Sequence, residues 1–235
     1  MKTVNFAFER ELIYNAHSAF RSFEFTLEFM KYESLFNYSN KMETLSKLFG
    51  SENKVKIMRL FLFNPETIFN VREISNRVKS DPAKVRREMS LLEKAGLVKK
   101  RSSVKKKTPG QCFSLDHNFT YLSALQNFLI NTEPLHAKEI IRRINRLGSI
   151  KLIITAGVFI QEPESRADLL IVGDYIKKPS LDNTIKTLES EIGKELRYAY
   201  FTTEDFNYRL SMFDKLTRDI LDYPHKKLLN RLGNI

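Results

Sequence analysis

The chain has one cysteine, Cys112, in 235 residues, so no intramolecular disulfide can form. A thiol-poor chain is the ordinary composition of a reducing compartment, and a cytoplasmic location is expected. Glycine is scarce at eight residues, and neither a Gly-x-Gly-x-x-Gly turn nor a Walker loop occurs, which leaves little material for a phosphate cradle. The four histidines, His17, His117, His136 and His225, are scattered without metal-ligand spacing, so no metal and no cofactor is expected. No apolar run approaches the roughly 18 residues that a membrane span needs. The N-terminus also lacks the charged, apolar and small-residue regions of a secretory signal, so no membrane partner is expected.

What the chain does have is positive charge, unevenly placed. Lys and Arg number 39 against 28 Asp and Glu, a net +11. Residues 1–41 hold five basic and five acidic residues. Residues 42–118 hold seventeen against eight, and residues 119–235 seventeen against fifteen. A solubility surplus would be spread along the chain. An excess concentrated in one third favours a polyanionic partner. The alternative is a solvated basic face whose arginines pair with Glu88 and Glu93 along a helix, at a few tenths of a kcal/mol per pair.

Residues 1–41 stand apart, with seven of the eighteen phenylalanines and no Gly or Pro. They are expected to be either an extension upstream of a natural start at Met42 or an added helix. From Leu45 to Phe63 apolar residues recur at helical spacing, with Gly50-Ser51 interrupting, Ser51 placed to cap the following helix, and Asn64-Pro65 ending it. Val71, Ile74 and Val78 define a short helix. Ser80 or Asp81 caps the next one, with Pro82 in its first turn, where the missing N–H does no harm.

In that next helix Val85, Met89 and Leu92 face inward, which turns Lys84, Arg87, Ser90 and Lys94 outward with Arg86 beside them. Gly96 ends the helix. Leu97–Arg101 and 111–115 read as two short strands. The loop between them closes in Thr108-Pro109-Gly110, and six of the nine residues from Lys99 to Lys107 are basic. The spacing therefore predicts helix, tight break, helix and β-hairpin. Arg72-Glu73-Ile74, Val85-Arg86-Arg87-Glu88 and Leu92-Glu93-Lys94-Ala95-Gly96-Leu97-Val98 carry a resemblance to a winged helix-turn-helix domain of the bacterial and archaeal transcriptional regulator type, over residues 42–118.

The resemblance implies a sequence-specific reader of double-stranded DNA, a transcriptional regulator working as a homodimer. Its recognition helix would enter the major groove and its basic wing would lie on phosphates. The DNA-contacting residues expected are Ser80, Lys84, Arg86, Arg87, Ser90, Lys99, Lys100, Arg101, Lys105, Lys106 and Lys107. Arg87 is the foremost candidate for base reading, while Arg86 could instead contact a phosphate from the helix edge.

Residues 119–134 and the helix expected from Leu135 to Leu147 read either as a linker and dimerisation element or as ordinary core packing. Beyond them strands alternate with helices: Ile150–Thr155, Ala167–Val172, a helix from Pro179 to Ile192, a strand at Leu196–Thr202, and one last helix from Thr203 to about Leu221. Ile153-Ile154-Thr155-Ala156-Gly157, followed by Ser165-Arg166-Ala167-Asp168-Leu169-Leu170-Ile171-Val172, resembles a minimal nucleotidyltransferase domain of the polymerase-beta-like kind, over residues 135–235. In that family a Gly-Ser binds nucleotide phosphates and two aspartates with a third carboxylate hold Mg²⁺. Here Ala156-Gly157 replaces the Gly-Ser and Arg166 stands in the first aspartate's place. Asp168 alone of the pair is present, and Glu195 is the nearest third acid. An arginine in a cation's slot repels metal, though its fork suits a phosphate. Gly157, Arg166 and Asp168 are thus expected to be a vestigial transferase site in a chain that is not an enzyme. The competing expectation is nucleotidyl transfer to protein or RNA through a remodelled site. The fold class expected is α+β: winged helix, helical linker (119–134), then an α/β transferase-like domain.

Overall fold

The computed structural model describes residues 41–101, 111–130, 135–162 and 164–233. Residues 1–40, residues 102–110 with Lys105, Lys106 and Lys107, residues 131–134, and residues 163, 234 and 235 lie outside them, and with them the expectations for the N-terminal extension and for the tip of the wing. The described residues belong to one compact unit of α+β class, built on two sheets.

The first half holds helices α1 (Lys41–Phe49), α2 (Glu52–Phe63), α3 (Val71–Val78) and α4 (Pro82–Lys94). Strands β1 (Phe69–Asn70), β2 (Val98–Arg101) and β3 (Cys112–Leu115) form an antiparallel sheet in the order β1-β3-β2. The helix–break–helix–hairpin order expected from spacing is present, and local chemistry sets its boundaries. The Ser51 hydroxyl accepts the Lys54 N–H and starts α2. Asn70 and Glu73 form a reciprocal capping box that starts α3 (2.8 and 2.9 Å). Of the two candidates for capping α4, Asp81 does so, accepting the Ala83 N–H at 2.7 Å. At its end the Leu97 N–H reaches Leu92 O and the Gly96 N–H reaches Glu93 O, with Gly96 at φ 85°. This paired closure needs a left-handed residue, and it explains the Ala95-Gly96-Leu97 sequence.

Val55, Phe61, Ile74, Val85, Met89, Leu97 and Leu115 fill the first core. Phe61 meets Phe69 edge-on at 5.5 Å. Helix α5 (Leu122–Leu129) follows, and Leu129 is fully buried in this same core. Leu122 and Leu125 pack partly against it, whereas Phe128 is exposed.

The second half contains α6 (Ala137–Ile144), β4 (Ser149–Thr155), a 3-10 turn (Gly157–Phe159), β5 (Leu169–Asp174), α7 (Lys178–Ile192), β6 (Tyr198–Phe201), α8 (Thr203–Ser211), α9 (Lys215–Asp222) and β7 (Lys226–Asn230). Its sheet runs β6-β5-β4-β7, with β5 and β6 parallel and the other pairs antiparallel. Helices cover both faces. Leu169 and Ile171 pack with α6 and α7, while Leu170 and Val172 pack with Phe206 of α8 and Ile220 of α9. A strand buried on both faces has no polar alternation, hence the unbroken Leu169–Val172 run.

Two expectations failed here. The single last helix is two, broken at Met212–Asp214, where Phe213 takes φ 53° and Asp214 caps α9 by accepting the Thr217 N–H. Strand β7 was not foreseen at all. Among the described residues no helix is long and apolar enough to cross a membrane.

The two halves are joined through a buried cation. Arg59 of α2 has no exposed surface. Its Nε donates to Leu129 O at 3.2 Å and its Nη1 to Glu191 O at 2.8 Å, so one side chain ties α2 to α5 and α7. Burial pushes its pKa down to about 10, partly offset by the Glu191 charge, and it remains a cation at neutral pH. Asn64 adds a bond to Gly193 O at 2.9 Å. A Cβ on Gly193 would lie 2.5 Å from the Arg59 carbonyl carbon, so only glycine permits this approach. Nearby, Lys79 Nζ donates to Asn183 and Thr187 of α7, both at 2.9 Å.

Removing Arg59 strands two buried carbonyls and leaves a void. Arg59→Ala is expected to lower unfolding free energy by about 3–5 kcal/mol, the range for breaking a buried charged contact. Urea denaturation measures it, and a loss below about 1 kcal/mol would mean that the join does not depend on this side chain.

Candidate nucleic-acid interface

Helix α4 is pinned by Val85, Met89 and Leu92, all buried. The helical period then turns Lys84, Arg86, Arg87, Ser90 and Lys94 to solvent, and each is exposed. Arg86 and Arg87 are therefore both on the open side. The two acids of the same helix are engaged elsewhere. Glu88 is buried, with Oε2 3.7 Å from Lys54 Nζ of α2, and Glu93 pairs with Lys100 Nζ at 2.9 Å. No ion pair among the described residues joins Lys84, Arg86, Arg87 or Lys94 to a carboxylate. The self-pairing that would have explained the arginines is thus absent from this helix. The outer face of α4 is cationic and open.

The other expected contacts are less free. Ser80 is half-buried in the turn before α4, its N–H on Ser75 O at 3.0 Å and its carbonyl accepting the Ser75 hydroxyl. At the base of the hairpin Lys99 pairs with Asp116 at 3.1 Å, and Arg101 Nε donates to Ser114 Oγ at 3.0 Å. The Lys99 bond, with the Asn118 N–H, holds the Asp116 carboxyl below the usual range. Lys99, Lys100 and Arg101 each already have a partner, and a phosphate would have to compete for them. Lys105, Lys106 and Lys107 lie outside the described residues.

The second group of expected residues separates in space. Asp168 has no exposed surface. Its Oδ1 accepts the Val158 N–H at 3.0 Å and Arg197 Nη2 at 3.1 Å; its Oδ2 accepts the Arg197 N–H at 2.9 Å and Nε at 3.1 Å. Burial acts to raise the carboxyl, but the Arg197 fork and the two backbone N–H groups together hold it below the ordinary aspartate value. Gly157 is at φ 53°, and a Cβ there would meet Asp168 Oδ1 at 2.0 Å. Gly157 and Asp168 thus form one closed unit, which locks the β4–β5 connection to the start of β6.

Arg166 is not part of that unit. It is exposed and pairs with Asp219 of α9 at 3.4 Å, in a surface recess shared with Glu162, Glu164, Tyr223 and Pro224. Glu195, the third acid considered, is exposed and paired with Arg77 of α3. The carboxylates named for a metal therefore do not converge, and among the described residues no group of three His, Cys, Asp or Glu side chains is arranged to hold a metal ion. Arg197 was missed by sequence reasoning. The only available signal was a basic residue near the start of the strand expected at Leu196–Thr202, which is too common to select it.

Comparison with protein-family models, with curated proteins and with solved structures gave no match.

Because its folded pKa is depressed, Asp168 contributes stability that is present above the unfolded value of about 3.9 and is lost as pH falls through the folded value. Asp168→Asn should cost about 1–3 kcal/mol near neutral pH by leaving buried donors poorly matched. It should also flatten the fall in urea midpoint between about pH 5 and pH 3. An acid limb as steep as wild type would show that Asp168 is not the group titrating there.

Proposed function

We propose that this chain is a sequence-specific double-stranded DNA-binding protein of winged helix-turn-helix type, a transcriptional regulator acting as a homodimer. The observation that carries this reading is the outer face of α4. It holds Lys84, Arg86, Arg87 and Lys94 exposed, while the helix's own acids are drawn away to Lys54 and Lys100. A cationic helix face without intrahelical neutralisation, on an element held by the first core, is what insertion into a major groove requires. Ser90 lies on the same face as a hydroxyl suited to base edges or phosphate. Arg87 supplies a planar fork that matches guanine O6 and N7, a contact worth about 1–3 kcal/mol of base discrimination. The loop lysines, 105 to 107, add sequence-independent attraction to phosphates.

The second half serves in this reading as a rigid body behind the reading head, a degenerate nucleotidyltransferase-like domain with no transfer step. The enclosure of Asp168 by Arg197 supports it, since a metal at that carboxylate would have to displace a two-point guanidinium contact and two backbone bonds.

Selection from a random duplex library, followed by salt titration of the chosen site, tests the proposal. Arg87→Ala should erase preference at one or two positions while keeping nonspecific affinity. Replacing Lys105, Lys106 and Lys107 with alanine should make the slope of log K against log salt shallower by about 2.7, at 0.9 per phosphate released. Three proteins with the same preference and the same slope would overturn the assignment. Equal affinity for single-stranded RNA would redirect it to another polymer.

A further inference from the structure

The outer face of α4 is not uniformly cationic. Val85, Met89 and Leu92 are taken up by the first core, whereas Leu91 is left out of it and is 44% exposed. It stands one turn after Arg87 and three residues before Lys94, with Ser90 beside it and Lys84 two turns back on the same side. Lys84, Arg87 and Lys94 have no carboxylate partner among the described residues. Leu91 is therefore an apolar spot with unpaired cations before and after it along the helix.

A single exposed leucine on an ordinary surface needs no partner. On this face it matters as soon as α4 enters a groove, because the base edges there are mostly polar. Guanine shows N7 and O6, adenine N7 and N6–H, and cytosine N4–H, while thymine shows O4 and a C5-methyl. A leucine pressed on a donor or acceptor strips it of water and returns no hydrogen bond. Pressed on the methyl, it shields apolar surface on both sides. Of the groups that the groove presents, the thymine methyl is the one that Leu91 can cover without loss.

We infer that Leu91 is a specificity-determining residue that reads the C5-methyl of a thymine in the duplex, beside the base read by Arg87. The inference rests on the proposal that α4 docks in the major groove. It narrows the ligand to a site holding guanine and thymine in a fixed register. Four residues of helix advance about 6 Å, and base pairs stack about 3.4 Å apart. The thymine therefore lies within about two base pairs of that guanine, on the side toward the C-terminal end of α4. A face that only gathered phosphates would gain from a further cation at this position. Leu91 adds nothing to phosphate attraction, so what it contributes there is discrimination between bases.

The test uses the site that the wild-type chain selects from a random duplex library. Each thymine in it is replaced in turn by deoxyuridine, which deletes the methyl and keeps O4 and the base pairing. Dissociation constants are measured by fluorescence anisotropy at constant salt. At a thymine within about two base pairs of the guanine whose preference is lost in Arg87→Ala, deoxyuridine should weaken wild type about fourfold, as expected for one buried carbon. Leu91→Ala, whose shorter side chain cannot reach the methyl, should bind the two duplexes alike. Because Leu91 lies outside the core, this variant should unfold in urea at the wild-type midpoint. A guanine that depends on Arg87, beside thymines to which both proteins respond equally, would overturn the inference and leave the reading of α4 standing. A chain that selects no duplex site would overturn both.

Discussion

A guanidinium buried between two cores is the constraint on which the rest of this structure depends. Arg59 sits in an otherwise apolar stretch of α2 with Met58, Leu60, Phe61 and Leu62, and its bonds run to the carbonyls of Leu129 and Glu191. Taking a cation out of water costs several kcal/mol, and the cost is recovered only while its partners stay in place. Nη2 and the Oε2 of Glu191 have no bond, so the arrangement is not fully satisfied even when closed. Sliding one half against the other would uncover the charge or break its remaining bonds. Domains joined by polar surfaces ordinarily move with respect to each other. Here Arg59, the Gly193 close approach and the Lys79 contacts to α7 oppose that motion together.

This buried residue also corrects what net charge suggests. Residues 42–118 contain seventeen basic side chains, and the sum treats them alike. Arg59 cannot meet a phosphate. Lys54, Lys56, Lys99 and Lys100 each face a carboxylate. Among the described residues of this stretch, the cations with no carboxylate partner are concentrated on α4, at Lys84, Arg86, Arg87 and Lys94. Placement says more than the total does, because a paired surface cation must exchange one partner for another and gains little by it.

Legibility followed the range of the interaction. Helices α3 and α4 and the hairpin after them could be read because their boundaries are set within a few residues: the Asp81 cap, Pro82 in the first turn, the Gly96 closure, and periodic Val85, Met89 and Leu92. The outward residues of α4 follow from the same arithmetic. Strand β7 could not be read. Lys226-Lys227-Leu228-Leu229-Asn230 has no β-branched residue, and its extended form comes from β4, which lies about seventy residues earlier in the chain. The break at Met212–Asp214 has no glycine or proline to mark it, and the one local sign was Asp214 three residues before Thr217, a capping spacing. Arg59 and Arg197 were beyond reach for the same reason as β7. Each is defined by a partner far away in sequence, although a lone arginine in an apolar helix run was a visible anomaly at position 59. Asp168 was singled out for a metal role, and its surroundings give it a structural one. A carboxylate that takes two backbone N–H groups and a guanidinium is fully used by the fold, so one acid at a suggestive spacing says little about chemistry until its partners are known.

Rigidity has a consequence for how a two-fold reader would measure DNA. With α4 fixed to the first core and that core fixed to the second by Arg59, a two-fold contact made through the second half would leave no flexible joint between the two reading helices. Their separation would then be a property of the body, not of a linker. Each added base pair between half-sites turns the second by about 34°, one part in 10.5 of a helical turn, as well as moving it along the axis. A tethered pair of heads absorbs such a rotation, whereas a rigid frame has to bend or twist the duplex, at a cost that depends on the sequence being deformed. Discrimination among spacings would therefore come from residues that touch no base, Arg59 among them, while Arg87 and its neighbours on α4 would read the half-sites themselves.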